Sequence, residues 1–174
     1  MPILAPDHWF RHITDIPAAF FVEKGIRLVA LDVDNTLTTH DNPVPAEGVQ
    51  NWLEEMQKAG LTLVILSNNS APRVEPFAGK LGLSYAAKAA KPLPFGLIRY
   101  CREQGVSLKE CAIIGDQLFT DILCGNLSGA LSVLVTLMEP EDKPFFRLKR
   151  KLEQPVLRSF KKHHADRVHF KEEP

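Results

Sequence analysis

Two aspartates, Asp32 and Asp34, follow directly on the apolar run LVAL at residues 28–31, with one valine between them. Such a run is typical of a buried strand. An unpaired carboxylate buried there costs several kcal/mol or takes up a proton. Both side chains are therefore expected where the strand ends, on the same side of the chain, facing a metal ion, water or a ligand.

Other polar residues follow the later apolar runs. Ser67 and Asn68 come after the second run, Lys91 after a weak third, and Asp116 after the fourth, with Asp121 five residues on. Carboxylates arriving from two strands suit a hard cation with oxygen ligands, most simply Mg²⁺. Hydroxyl, backbone N–H and ammonium groups can hold a phosphate. Together these groups indicate phosphoryl transfer.

The elements that must position these residues alternate along the chain. Short β-branched or leucine-rich runs predict strands, and amphipathic stretches that end at glycine predict helices between them. This alternation favours an α/β fold with a parallel sheet covered on both faces, in which ligands bind beyond the carboxyl ends of the strands. The predicted strands are 26–32, 61–67, 84–87, 111–115 and 131–137, and the predicted helices are 46–59, 72–81, 94–104 and 120–127.

The composition is that of an ordinary globular domain. The chain has 174 residues, of which 45% are hydrophobic and 24% charged, so disorder is not expected. Its three cysteines have no metal-ligand spacing and are expected to be reduced thiols in a cytoplasm. No apolar run approaches the length of a membrane span, and the start of the chain lacks a secretory signal. We therefore expect a cytoplasmic protein.

The charge is concentrated near the end of the chain. Residues 143–162 contain eight lysines or arginines and one acid, Glu153, although the net charge of the whole chain is zero. This segment predicts one or two basic amphipathic helices, with Phe145, Leu148 and Leu152 on one stripe and Pro155 opening the second helix, which continues the apolar pattern with Val156 and Phe160. It could lie on an anionic membrane surface or pack on the domain. A basic block without a recognised binding fold does not indicate a nucleic-acid partner.

Four motifs resemble those of the haloacid dehalogenase superfamily. They are DVDNTLT from residue 32, SN at 67–68, KP at 91–92 and GDQLFTD at 115–121, in the family's order and each after a predicted strand. The resemblance implies a Rossmann-like three-layer sandwich with a five-stranded parallel sheet of order 5-4-1-2-3. The spacings between motifs hold one helix each, so no cap domain is expected.

The same resemblance implies roles for the acidic residues. Asp32 would be the nucleophile that forms an aspartyl phosphate, and Asp34 the general acid and base. Asp116 would bind Mg²⁺ together with Asp32 and the backbone carbonyl of Asp34. Asp121 would orient a metal-bound water or Lys91, although it could instead be a helix cap.

The remaining site residues are expected around the phosphate. Ser67, Asn68 and Lys91 would bind it, with Asn35 and Thr36 shaping the turn beside it. Ser67 and Asn68 could instead only cap the next helix, and Lys88 competes with Lys91 for the phosphate role.

The finer pattern resembles the YqeG type in subfamily IIIA of the superfamily, which is related to phosphatidylglycerophosphatases. The segments that carry it are LAPDHWFRHITDI, LDVDNTLT, LSNNS, KAAKP and IGDQLFTDILCGN. It implies a phosphatase domain over 1–138, with 1–25 as a helical extension and 139–174 as the basic tail. The implied reaction is conversion of phosphatidylglycerophosphate to phosphatidylglycerol. A capless phosphatase for a soluble sugar phosphate, nucleotide or phosphoprotein, and a non-catalytic metal-binding partner protein, stay open.

Overall fold

A six-stranded, all-parallel sheet forms the centre of the fold, in a computed structural model that describes residues 3–39, 42–139 and 144–171, apart from the side chain of Phe145. The strand order is β1-β6-β5-β2-β3-β4. The strands are β1 (His8–Phe10), β2 (Leu28–Leu31), β3 (Thr62–Leu66), β4 (Ser84–Ala86), β5 (Cys111–Gly115) and β6 (Leu131–Val135). The helices are α1 (Ala18–Val22), α2 (Val49–Lys58), α3 (Ala71–Leu81), α4 (Phe95–Glu103), α5 (Leu123–Ser128) and α6 (Pro144–His163).

Helices cover both faces of the sheet, which confirms the predicted three-layer α/β class. Trp52 and Met56 of α2 and Phe77 of α3 pack on one face. Leu97 of α4 and Cys124 of α5 pack on the other. Both faces are therefore apolar, which is why β2 and β5 consist of buried residues throughout.

The register of the central strands brings the predicted site together. Leu31 lies opposite Ile65 of β3 and Ile114 of β5, and the Asp32 backbone N–H donates to the Ile114 carbonyl at 2.9 Å. The chain leaves β2, β3 and β5 at the same edge of the sheet. The residues that follow these strands are consequently neighbours.

The prediction of five strands is corrected by β1. The N-terminal segment, expected to be a helical extension, contains this three-residue strand, which pairs with β6 at the edge of the sheet. The order 5-4-1-2-3 holds for the five predicted strands. The sequence HWF is too short to show a period of two, so it carries no local signal of a strand.

The tail forms one helix rather than two short ones. Pro155 lies inside α6, where it removes one backbone donor without ending the helix. Phe160 is buried against Trp9 and Leu134, a contact that contributes about 2 kcal/mol and holds the second half of the helix on the domain. No helix in the described part of the chain is long and apolar enough to cross a bilayer.

The expected apolar stripe of the tail faces outward. Leu148 and Leu152 are 57% and 58% exposed, while the side chain of Phe145 lies outside the described residues. The packed face instead carries Arg150 and Glu153 as well as Phe160. Hydrophobic patterning therefore predicted the wrong face for the first half of α6, whereas Val156 and Phe160 in the second half pack on the domain as expected.

A histidine pair joins the two ends of the described chain. His8 Nδ1 lies 3.0 Å from His169 Nε2, and the His169 ring stacks on Phe10 with centroids 4.1 Å apart. The pKa of His8 is lowered to about 4, mainly by burial and also by the nearby cation Lys24. His169 and Arg167 act in the same direction, whereas Asp7 opposes the shift.

This depressed pKa predicts a loss of stability in mild acid. Unfolded His8 takes up a proton near pH 6.5, whereas folded His8 does so only near pH 4, so stability falls as the pH decreases between these values. In His8→Gln, the drop in melting temperature between pH 7 and pH 5 should be smaller than in the parent chain. Thermal unfolding followed by circular dichroism measures this. His163→Gln, at an exposed position, is the control and should leave the drop unchanged.

Candidate active site

The turn after β2 presents Asp32 and Asp34 at the edge of the sheet. Asn35 adopts a left-handed backbone conformation with φ of +58°, which asparagine tolerates better than most residues, and its N–H donates to the Thr38 carbonyl at 2.7 Å. Asn35 also lines the cleft beside these aspartates. Thr36 is completely buried and does not line the cleft. It therefore supports the turn, and its buried hydroxyl has no hydrogen-bond partner among the described residues, so its expected contact with a phosphate stays a prediction.

Three carboxylates converge beyond the ends of β2 and β5. One oxygen from each of Asp32, Asp116 and Asp121 lies within 4.8 Å of the others. The Asp116 and Asp121 side chains are 0% and 1% exposed, and that of Asp32 is 13% exposed. Asp116 Oδ1 is buried and has no hydrogen-bond partner among the described residues.

Lys91 lies between two of these carboxylates. Its Nζ donates to Asp32 Oδ1 at 2.7 Å and to Asp121 Oδ1 at 2.6 Å, and its side chain is 2% exposed. Burial by itself would lower the pKa of Lys91, but the Asp121 and Asp32 carboxylates outweigh it and raise the pKa. Asn68 holds the Lys91 backbone through two hydrogen bonds, of 2.8 and 2.9 Å. The Asn68 side chain thus positions Lys91, and any contact between Asn68 and a phosphate must come from its backbone.

Asp121 lies in a π-helical turn over residues 118–122 that packs directly on Gly115. A Cβ atom at Gly115 would lie 2.2 Å from Asp121 Cγ, so only glycine allows this approach. The second oxygen of Asp121 accepts hydrogen bonds from the Gln117 backbone and the Thr120 hydroxyl, both at 3.2 Å. Asp121 therefore accepts a hydrogen bond from the backbone at the start of its own turn, as a helix cap does. It also accepts one from Lys91, the residue that it was expected to orient.

The cluster carries more negative than positive charge. Burial raises the pKa of Asp32 to about 7, although the Lys91 ammonium opposes the shift. Burial also raises the pKa of Asp116 well above its usual range, against the opposing effect of Arg150. A further cation would lower both pKa values. The unpartnered oxygen of Asp116, together with the all-oxygen donor set, fits a divalent metal ion.

Asp34 points away from this cluster. Its two oxygens accept hydrogen bonds from Asn69 Nδ2 at 2.8 Å and Arg73 Nη2 at 2.7 Å. The Asp34 side chain is therefore not among the converging carboxylates, and the expected contact of its backbone carbonyl with a metal ion stays a prediction. Neither Asn69 nor Arg73 was predicted, although Asn69 follows the SN motif directly and Arg73 lies in the first turn of α3.

Arg150 of α6 completes the charged cluster. Its guanidinium contacts the Asp116 carboxylate and donates to the Asp116 backbone carbonyl at 2.6 Å. It also pairs with Glu153 at 3.0 Å, and Glu153 in turn accepts from the Leu118 N–H at 2.9 Å. Sequence reasoning missed this contact. The signal that could have revealed it is the isolated Glu153 in a basic segment, three residues from Arg150.

An open cleft of about 270 Å³ lies over these groups. Ser67, 1% exposed, is on its floor, where its hydroxyl accepts from the Asn69 N–H at 3.2 Å. In the described residues, α2 alone lies between β2 and β3, and α3 alone between β3 and β4, so no cap domain covers the cleft. The lining residues are Asp32, Asp34, Asn35, Ser67, Asn68, Asn69, Lys91, Gln117, Thr120, Phe146 and Lys149.

Comparison with known proteins identifies the family. A model of the haloacid dehalogenase-like hydrolases matches residues 39–129. The chain is 33% identical over 157 residues to the probable phosphatase YqeG of Bacillus subtilis, which covers 90% of this chain and 91% of that protein. The chain belongs to the haloacid dehalogenase-like hydrolases. Its expected place among the phosphatases of this superfamily is confirmed.

A second curated relative and a solved structure are also similar to this chain. The chain is 29% identical over 127 residues to the mitochondrial phosphatidylglycerophosphatase GEP4 of Saccharomyces cerevisiae, covering 66% of this chain and 69% of that protein. The crystal structure of a predicted phosphoglycolate phosphatase from Haemophilus somnus superposes with a TM-score of 0.57 at 15% identity, over 65% of this chain and 86% of the other. The second similarity concerns the fold alone.

Metal binding should stabilise the chain through Asp116. Mg²⁺ at about 100 times its dissociation constant stabilises a folded protein by about 2.7 kcal/mol, or roughly 5–10 °C for a chain of this size. Asp116→Asn should lose most of this shift, because it neutralises the carboxylate whose unpartnered oxygen is expected to bind the ion, whereas Asp32 already shares its charge with Lys91. Thermal unfolding with and without Mg²⁺ measures the effect. Asp166→Asn, at an exposed aspartate, should retain the full shift, and an equal shift in Asp116→Asn would contradict the assignment.

Proposed function

We propose that this phosphatase uses Mg²⁺ and an aspartyl-phosphate on Asp32 to hydrolyse the terminal phosphomonoester of phosphatidylglycerophosphate. The observation that carries the chemistry is the bridge of Lys91 between Asp32 and Asp121, beside the unpartnered oxygen of Asp116. A nucleophile, a phosphate-binding cation and a metal-binding group thus meet at one point of the cleft. Asp32, Asp116 and the backbone carbonyl of Asp34 would hold the ion, which would neutralise charge on the phosphoryl oxygens.

Asp32 attacks in its ionised form. Burial favours the protonated form of this side chain, and the Lys91 ammonium counteracts burial. A divalent ion held by Asp32 and Asp116 would act in the same direction as Lys91. A carboxylate oxygen forms a bond to phosphorus while the bond from phosphorus to the alcohol oxygen breaks. Ser67, the Asn68 backbone, Asn35 and Lys91 bind the phosphoryl oxygens during this step.

Asp34 transfers the protons. The Asp34 carboxyl group gives its proton to the departing alkoxide, and the resulting carboxylate then accepts a proton from the water that attacks phosphorus, so that inorganic phosphate leaves and Asp32 is restored. Hydrogen bonds with Asn69 and Arg73 hold the Asp34 side chain beside the cleft. Arg73 is 39% exposed and can move away when Asp34 carries the proton.

The open cleft and the relatives support a lipid substrate. Without a cap domain, a phosphate at the end of a bulky lipid can reach Asp32 while the acyl chains stay in the bilayer. The similarity to GEP4, a phosphatidylglycerophosphatase, supports a lipid phosphomonoester as the substrate of this chain. The proposed reaction therefore takes place at the surface of an anionic membrane.

Replacement of the nucleophile tests the mechanism. Asp32→Asn should retain the fold and the Mg²⁺-dependent thermal shift. It should lower turnover at least about 1,000-fold, because an amide side chain does not form the aspartyl phosphate. Phosphate release is measured from phosphatidylglycerophosphate and from glycerol 3-phosphate in the presence of the same mixed micelles. The two rates give the turnover and the preference between the lipid and the soluble substrate. Asp166→Asn is the matched control. An active, folded Asp32→Asn would overturn the covalent mechanism, and faster release from glycerol 3-phosphate would favour a soluble substrate.

The outward face of α6 is proposed to contact the membrane. Leu148 and Leu152 are more than half exposed, and Arg147 and Lys151 beside them are exposed as well. Apolar residues flanked by basic ones bind anionic bilayers, with about 1 kcal/mol from each basic residue near the surface.

Substitution of the two leucines tests this contact without removing the packed helix. The double variant Leu148→Ser and Leu152→Ser should bind phosphatidylglycerol-containing vesicles at least about fivefold more weakly, because it loses most of its apolar contact with the bilayer. Co-sedimentation measures the binding. Leu127→Ser, at an exposed leucine on α5, is the control. Undiminished binding of the double variant would exclude this face of α6.

A further inference from the structure

Helix α6 forms one wall of the cleft. Phe146 and Lys149 line the same cavity as Asp32, Ser67 and Lys91, although they are more than 50 residues away from these residues in the chain. Sequence motifs of the site do not include either residue. The tail is therefore part of the cleft into which a substrate must fit.

The position of this wall is set by contacts with the acidic cluster. Arg150 contacts the Asp116 side chain and backbone, and Glu153 accepts from the Leu118 N–H at 2.9 Å. Residues three, four and seven positions apart share a helix face, so Phe146 and Lys149 lie on the face that carries Arg150 and Glu153. Because Phe160 is 2% exposed, the far end of the helix is held as well.

The two lysines that line the cleft come from different parts of the fold. Of the residues that line it, Lys91 and Lys149 are the basic ones. Lys91 is held at the floor between Asp32 and Asp121, where the transferred phosphoryl group is expected. Lys149 belongs to the α6 wall, with its Nζ 5.8 Å from the Phe146 ring centroid.

We propose that Lys149 recognises a second anionic group of the substrate, so that α6 selects phosphomonoesters that carry a second phosphate. Phe146 contacts the carbon skeleton between the two groups. This inference rests on the proposed function, and it narrows the substrate to one class: phosphatidylglycerophosphate has a phosphodiester on the far side of the glycerol that bears the terminal phosphate. A lysine suits this task because it binds phosphate as a point charge without a required orientation.

Binding of two soluble compounds tests the proposal without a membrane. One is the deacylated headgroup of phosphatidylglycerophosphate, which has a phosphodiester and a phosphomonoester, and the other is glycerol 3-phosphate, which has only the phosphomonoester. Each compound is titrated into the Asp32→Asn chain in the presence of Mg²⁺, and calorimetry measures its affinity. Neither compound should be turned over by this chain. The headgroup should bind about tenfold more tightly, as expected for one additional charge-assisted contact.

Three substitutions in that chain locate the preference. Lys149→Met should lower the ratio of the two affinities about tenfold, and Lys149→Arg should restore most of it, since the charge is retained. Lys162→Met, at an exposed position near the end of the same helix, should leave the ratio unchanged. An Mg²⁺-dependent thermal shift equal to that of Asp32→Asn shows that each variant is folded.

The outcomes separate this inference from the proposed function. If Lys149→Met leaves the affinity ratio unchanged, the inference is overturned. Phosphate release by the chain with Asp32 intact, measured on the same two compounds, tests the chemistry. Release without a preference for the headgroup leaves the phosphatase mechanism standing and overturns the role of Lys149. Failure to bind either compound overturns the inference alone, because phosphate release from phosphatidylglycerophosphate in mixed micelles tests the proposed function separately.

Discussion

The rest of the structure depends on one constraint, the repulsion among carboxylates that are crowded into a poorly solvated space. Asp32, Asp116 and Asp121 place oxygens within 4.8 Å of one another beneath the cleft. Such an arrangement persists only if cations lie between the carboxylates or protons neutralise some of them. Lys91 supplies one cation and Arg150 a second, and the unpartnered oxygen of Asp116 marks the place for a third. The repulsion that destabilises the metal-free cluster is thus also what gives it affinity for a metal ion.

This constraint explains why the C-terminal helix belongs to the domain. The superfamily motifs place one lysine among the acids, and that lysine is already shared by Asp32 and Asp121. Asp116 obtains its partner from Arg150, which lies 34 residues further along the chain. The same helix turns Phe146 and Lys149 into the cleft and exposes Leu148 and Leu152 on its opposite side. One element can therefore connect the metal site, the substrate and a membrane surface.

Much of the fold follows from local patterns. The five predicted strands exist, and their order places Asp32, Ser67 and Asp116 at one edge, because buried parallel strands are apolar throughout and end at polar residues. The strand β1 and the single helix α6 do not follow from local patterns. β1 is a strand only because β6 offers an unpaired edge, and α6 continues through Pro155 because both halves pack on the domain. The packed face of α6 also escaped prediction, since two of its inward residues, Arg150 and Glu153, are charged.

The sequence alone determined the family, the parallel sheet and the residues at its strand ends, because period, motif order and spacing are local properties of the chain. Only the tertiary structure decided how the charges pair. In the structure the Asn68 side chain hydrogen-bonds to the Lys91 backbone, and Thr36 is buried. Arg150 of the C-terminal helix forms an ion pair with Asp116. The physical reason is that a buried charge is stabilised by whichever opposite charge the fold brings within a few ångströms, and separation along the chain carries no information about that distance.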